Sequence, residues 1–229
     1  MDIMCYVLAS LCVVMGLFTA VLYNMNKPRE AFVTKMIASS LFLCTGAVSM
    51  SQARFNAEVG ALVVMGMVLS LWGDYFLAKK EVAKLGSSNN FAFGVYSFAG
   101  AQILFVTAFL WLADWEFNYY FLFLLLLGIV PLLVGKLTKM FTFHGKELWL
   151  SMLYGTLLCL TLAVTASTYM LEGSDTALVA MIGAICFVIS DFSLGLYYFT
   201  SWKKRKLFNY PIMFFYFAAE VLYAIALVM

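Results

Sequence analysis

The amino-acid sequence predicts an all-α polytopic membrane protein of eight transmembrane helices. Three observations lead there. Of 229 residues, 65% are hydrophobic and only 11% are charged, with a mean hydropathy of +0.96, whereas soluble domains carry about 25% charged residues. Eight apolar stretches each approach the roughly 20 residues that a bilayer crossing needs. The basic residues collect in alternate connections between those stretches.

The stretches run over 3–23, 32–50, 58–78, 91–112, 117–135, 148–170, 176–200 and 210–229. The first reads as a membrane helix rather than a signal peptide: Asp2 stands where a basic n-region belongs, and no A-x-A site follows. None of the eight shows strand alternation, and only helices or closed barrels satisfy their backbone in lipid, so each is assigned as a helix. The short breaks between them leave no room for a soluble domain, and residues 1–229 form a single membrane domain. No Gly-rich phosphate loop and no nucleic-acid-binding patch is present. Cys5, Cys12, Cys44, Cys159 and Cys186 lie in apolar stretches without C-x-x-C pairing and read as small core hydrophobes.

Charge then sets orientation. Lys27, Arg29, Lys35, Lys79, Lys80, Lys84, Lys136, Lys139, Lys146, Lys203, Lys204, Arg205 and Lys206 flank the odd-numbered connections, leaving only Arg54 opposite. Glu58, Asp114, Glu116, Glu172 and Asp175 mark the other side. The positive-inside rule makes the odd connections cytoplasmic and turns both termini outward. Asp74 in the third helix then lies near the cytoplasmic end, Asp191 in the seventh somewhat deeper, and Gln102 and Glu220 near mid-helix. "SWKKRK" (201–206) is an orientation signal that also suits anionic lipid heads.

A carboxylate at membrane depth is energetically costly and marks a functional site by default. Asp74 and Asp191 each follow a small residue and precede an aromatic one, as Gly73-Asp74-Tyr75 and Ser190-Asp191-Phe192. "GAQIL" (100–104) and "AAEVL" (218–222) recur at matching distances in the next helices, which suggests two parallel four-helix repeats, 1–112 and 117–229. A purely structural reading pairs each aspartate with Lys35 or a neighbouring helix, contacts worth about 0.6 kcal/mol on average. Two such acids at similar depth favour function. Lys35 lies close enough to its helix end to snorkel. Packing and ligand contact both stand open for Gln102 and Glu220, and for the hydroxyls of Tyr154 and Tyr216. His144 is the lone histidine and sits in a connection, so a zinc hydrolase is disfavoured and no metal is expected.

Certain runs resemble the YhhN-like lysoplasmalogenases, multi-helix membrane proteins of bacteria and animals. They are "TKMIASSLF" (34–42), "GDYFL" (73–77), "FAFGVYSFAGAQILF" (91–105), "GAICFVISDFSLGLYYF" (183–199) and "FYFAAEVLYAIAL" (215–227). Asp74, Asp191, Lys35 and Tyr216 match the family pattern. Gln102 stands where the family usually has His, and Tyr216-Phe217-Ala218-Ala219-Glu220 replaces a Tyr-Tyr-x-Ala-Gln run. The resemblance implies hydrolysis of the vinyl ether bond of lysoplasmalogens to a fatty aldehyde and glycerophospho-ethanolamine or -choline, without cofactor, in a bacterial cytoplasmic membrane. The expected partners are a lysophospholipid substrate and membrane lipids, not nucleic acid.

Such chemistry asks for one protonated acid and one carboxylate. Asp191 is expected to be the general acid and Asp74 the base or cation stabiliser, much as glycosidases divide their carboxyls. Lys35 would take the substrate phosphate, with Gln102, Tyr154, Tyr216 and Glu220 completing the substrate-binding set. The alternatives are a transporter or receptor using the acids for cations or protons, and a structural scaffold. A retinal protein is disfavoured because 210–229 holds no Lys.

Overall fold

Apolar runs of this length satisfy their backbone hydrogen bonds within themselves, and the structure is accordingly helical. A computed structural model describes residues 3–52, 57–82, 88–202 and 205–229. Eight helices follow in order: α1 (Ile3–Asn24), α2 (Pro28–Gln52), α3 (Ala57–Val82), α4 (Ser88–Leu112), α5 (Leu126–Leu137), α6 (Glu147–Glu172), α7 (Asp175–Phe199) and α8 (Asn209–Ala226). Eight segments are long and apolar enough to cross a bilayer. Among the charges used for orientation, Arg54, Lys84, Lys203 and Lys204 lie outside the described residues, as does the Arg205 side chain.

Local chemistry sets the helix ends. Pro28 opens α2, where its missing N–H is not needed. Gly173 closes α6 in the left-handed region at φ 64°, and its N–H reaches the Tyr169 carbonyl. The Ser174 side chain then accepts from the Ala177 N–H to start α7, so two residues suffice for the reversal.

The fifth span differs from a plain α-helix over 117–135. It begins as a 3-10 segment, Tyr119–Leu125, and becomes α-helical only at Leu126. Asn118 caps the 3-10 segment by accepting from the Tyr120 N–H. Pro131 inside α5 supplies no N–H to the preceding turn.

Seven helices close a ring in the order α1, α2, α3, α4, α6, α7, α8 and back to α1. α8 leans inward to touch α2 and α3 as well, and it is the most buried of the eight spans. The span containing α5 is the least buried and packs on the outside of α6. Its contact with α6 is a backbone crossing: a Cβ on Gly128 would lie 2.4 Å from the Gly155 carbonyl carbon. Gly128→Ala should therefore push α5 off α6 and cost about 1–3 kcal/mol, an overpacking penalty readable as a lower Tm in detergent.

The connection between α5 and α6 folds across one end of the ring. Its Thr142 N–H donates to the Phe199 carbonyl at 2.8 Å, and Phe141 packs on Gly135 and on the Phe199 ring. At the same end Lys80 lies over the Tyr198 ring, Lys206 bonds the Asn26 side chain, and the Asn209 amide donates to Asn24 at 2.9 Å. The lysine-rich connections thus share one face of the molecule, called here the basic end.

Candidate active site

Gly73 precedes Asp74 on α3 for a packing reason. A Cβ there would lie 2.5 Å from the Phe98 ring, so only glycine lets α4 approach this closely. Phe98 then sits edge-on to Tyr216 of α8 (centroids 5.9 Å, 87°) and tilted against Tyr154 of α6 (6.2 Å). Each of these tyrosines carries its hydroxyl to one aspartate. Tyr216 donates to Asp74 Oδ2 at 2.7 Å, and Tyr154 donates to Asp191 Oδ2.

The two carboxyls are held differently. Asp74 is 1% exposed and its Oδ1 pairs with Lys35 Nζ at 2.8 Å, while Oδ2 also accepts from Ser39 Oγ at 2.6 Å. This is the one ion pair among the described residues. Lys35 and Ser39 are four residues apart on α2 and so present to α3 from one helix face. Among the described residues the second oxygen of Asp191 meets only Ser190 Oγ at 3.4 Å, and Ser190 Oγ also lies 3.0 Å from the Ile212 carbonyl of α8.

Lys35 takes up the pairing with Asp74 that the structural reading allowed. Its side chain is buried (residue exposure 6%) rather than snorkelling to a surface. The reason is that α2 begins at Pro28, four residues before the apolar run suggests, which puts Lys35 about 10 Å inside the helix at 1.5 Å per residue. Its ammonium goes to Asp74 and lies 5.9 Å from the Tyr216 ring centroid.

Lys35, Asp74, Tyr154, Asp191 and Tyr216 all line one cavity of about 170 Å³. A single buried water needs only about 10–15 Å³ by the same measure, so this space is on the scale of a ligand. The walls are mainly apolar, from Val95, Phe98, Leu158, Val188 and Met213, with Leu127, Gly128 and Pro131 of the 3-10/α5 span on the outer side. Gly195, one turn beyond Asp191, faces open space: an added Cβ would meet nothing within 4 Å. Gly195→Ala should leave or raise the Tm, since Ala is the better helix former by about 1 kcal/mol. Gly195→Leu should instead narrow the cavity and disfavour longer ligand chains, as measured by turnover against chain length.

Gln102 and Glu220 do not line this cavity. They lie one helical turn beyond Phe98 and Tyr216 respectively, both fully buried. Thr161 donates to Gln102 Oε1 at 2.7 Å. Neither Glu220 oxygen, nor Gln102 Nε2, has a hydrogen-bond partner among the described residues. These two form an inner polar layer, with Ser70 and Tyr223, behind the cavity.

Comparison with family models matches residues 30–227 to one family, the YhhN family. The chain belongs to the YhhN family. No curated protein and no solved structure gives a significant match. The matched stretch holds every cavity residue named above, and among the described lining residues only Tyr23 of α1 precedes it. Within this YhhN chain the sequence reading passed over Ser39, Phe98 and Ser151, which complete the cavity or its hydrogen bonds. Ser39 alone carried a usable signal, its i+4 spacing from Lys35.

Proposed function

We propose that the protein is a lysoplasmalogenase-like hydrolase of the membrane, cleaving the vinyl ether bond of a lysoplasmalogen to a fatty aldehyde and glycerophospho-ethanolamine or -choline. YhhN family membership supports a hydrolase of this kind. The observation that carries the reaction is that two carboxyls line one apolar-walled cavity in unequal settings.

The chemistry follows from that inequality. Cleavage begins when the electron pair of the vinyl double bond takes a proton at the β-carbon, leaving an oxocarbenium ion. Asp191, held by Tyr154 and without an ion pair among the described residues, is the group that gives this proton. Asp74, paired with Lys35 and bonded by Ser39 and Tyr216, stabilises the cation. Water then adds to the carbon bearing the ether oxygen, and its proton returns to Asp191. The resulting hemiacetal collapses to aldehyde and the free glycerol hydroxyl, so one water is consumed and no redox partner is needed. In this reading Lys35 pairs with Asp74 rather than binding phosphate. The active site faces the cytoplasmic half of the bilayer, with the basic end inward.

The test supplies the purified protein in detergent micelles with a lysoplasmalogen and assays free aldehyde. Aldehyde and glycerophospho-base should appear in equal amounts. Recovery of intact lipid after prolonged incubation would refute hydrolysis, and binding without turnover would favour a carrier.

A further inference from the structure

Beyond the apolar cavity, at the basic end, lies a second pocket of about 340 Å³, half open to the surface and of mixed polar and apolar lining, called here the chamber. It is lined by Lys80, Thr142, His144, Glu147, Thr200 and Ser201, and it shares Tyr198 and Phe199 with the apolar cavity. The two spaces therefore meet along one aromatic wall. Lys80 is half-buried, and its ammonium sits 4.3 Å from the Tyr198 centroid and 4.4 Å from that of Phe91. It makes no ion pair among the described residues. Glu147 uses one carboxyl oxygen to accept the His144 N–H at 2.8 Å. Among the described residues the pocket thus holds one lysine, one carboxylate, His144 and several hydroxyls.

Distance along the helices links this chamber to the two aspartates. Lys80 is six residues beyond Asp74 on α3, about 9 Å, and Tyr198 is seven beyond Asp191 on α7, about 10.5 Å, at 1.5 Å rise per residue. In an extended lysoplasmalogen seven bonds separate the vinyl β-carbon, which takes the proton, from the phosphorus, roughly 8–9 Å at ~1.2 Å advance per bond, a span of that scale. Accepting the lysoplasmalogen reading above, we propose that this chamber is the headgroup site. Lys80 takes the phosphate and Glu147 the ammonium of a zwitterionic phosphoethanolamine. The glycerol passes the Tyr198–Phe199 wall, and the vinyl ether comes to rest between Asp74 and Asp191.

The test separates headgroup recognition from cleavage by using a saturated ether, 1-O-alkyl-glycerophosphoethanolamine, which cannot be hydrolysed. Its affinity for the purified protein is compared with that of 1-O-alkylglycerol, which lacks the headgroup. Lys80→Met should erase at least about tenfold of the preference for the phospholipid, as losing a charge-assisted hydrogen bond implies. Lys80→Arg should restore most of it. Glu147→Gln, which keeps an acceptor for His144, should reduce preference for the ethanolamine headgroup over a bare phosphate monoester. An unchanged preference in Lys80→Met, an equal loss for both ligands, or no binding of the alkyl phospholipid by the unmodified protein would overturn the proposal. Lys80-dependent binding without aldehyde release from a lysoplasmalogen would uphold the headgroup site and refute the hydrolase reading instead.

Discussion

Asp191→Asn is expected to lower the rate of aldehyde release by roughly 10²–10⁴-fold, the usual contribution of a general acid. The substitution is nearly isosteric, and the amide oxygen still accepts the Tyr154 hydroxyl, so the local packing survives. No cation is left unpaired, because Lys35 pairs with Asp74 and not with Asp191. The variant should therefore match the parent in yield, elution volume and thermal unfolding while losing turnover. Activity within a few-fold of the parent would remove Asp191 from the proton-transfer step. Asp74→Asn is a less clean probe, since it strands the buried Lys35.

The second large effect concerns stability. Lys35→Met keeps the length of the side chain and removes its charge, leaving Asp74 without its cation at 1% exposure. Breaking a buried pair from one side costs about 3–5 kcal/mol, whereas replacing both members by packed neutral groups is often neutral. The single variant should unfold at a clearly lower temperature, and Lys35→Met with Asp74→Asn should recover much of the loss. Thermal unfolding of the four proteins in a double-mutant cycle measures the coupling directly. Equal stability for the single and double variants would mean that the pair does not hold α2 to α3.

The membrane helices were legible because the bilayer imposes one length and one composition on every crossing. Seven of the eight expected spans overlie single α-helices, with ends set by a few capping residues. The fifth does not, because apolarity says nothing about whether a turn closes by three residues or four, as at Tyr119–Leu125. Buried charge was the other strong signal. Asp74 and Asp191, five residues and twelve residues short of the next lysine, stood out on cost alone.

What sequence gave poorly was direction around each helix. Gln102 and Glu220 have the expected polarity but lie a turn behind the cavity, and depth alone could not separate them from Phe98 and Tyr216. The depth of Lys35 was hard to read because α2 extends back to Pro28 through a polar, charged turn that apolar-run reading omits. Lys80 read as an orientation charge, since nothing in its neighbours announces that Phe91 and Tyr198 will enclose it.

The position of α8 in the ring bears on how the protein is made. α8 is synthesised after the other seven helices, yet it contacts α1, α2, α3 and α7 and supplies the Tyr216 hydroxyl to Asp74. The Lys35–Asp74 pair, by contrast, belongs entirely to α2 and α3. A ribosome-bound chain can thus hand the membrane a charge-neutral hairpin early, long before the ring closes. α8 then acts as a keystone: until it arrives, the first three helices and the seventh share no common partner, and the apolar cavity has no inner wall.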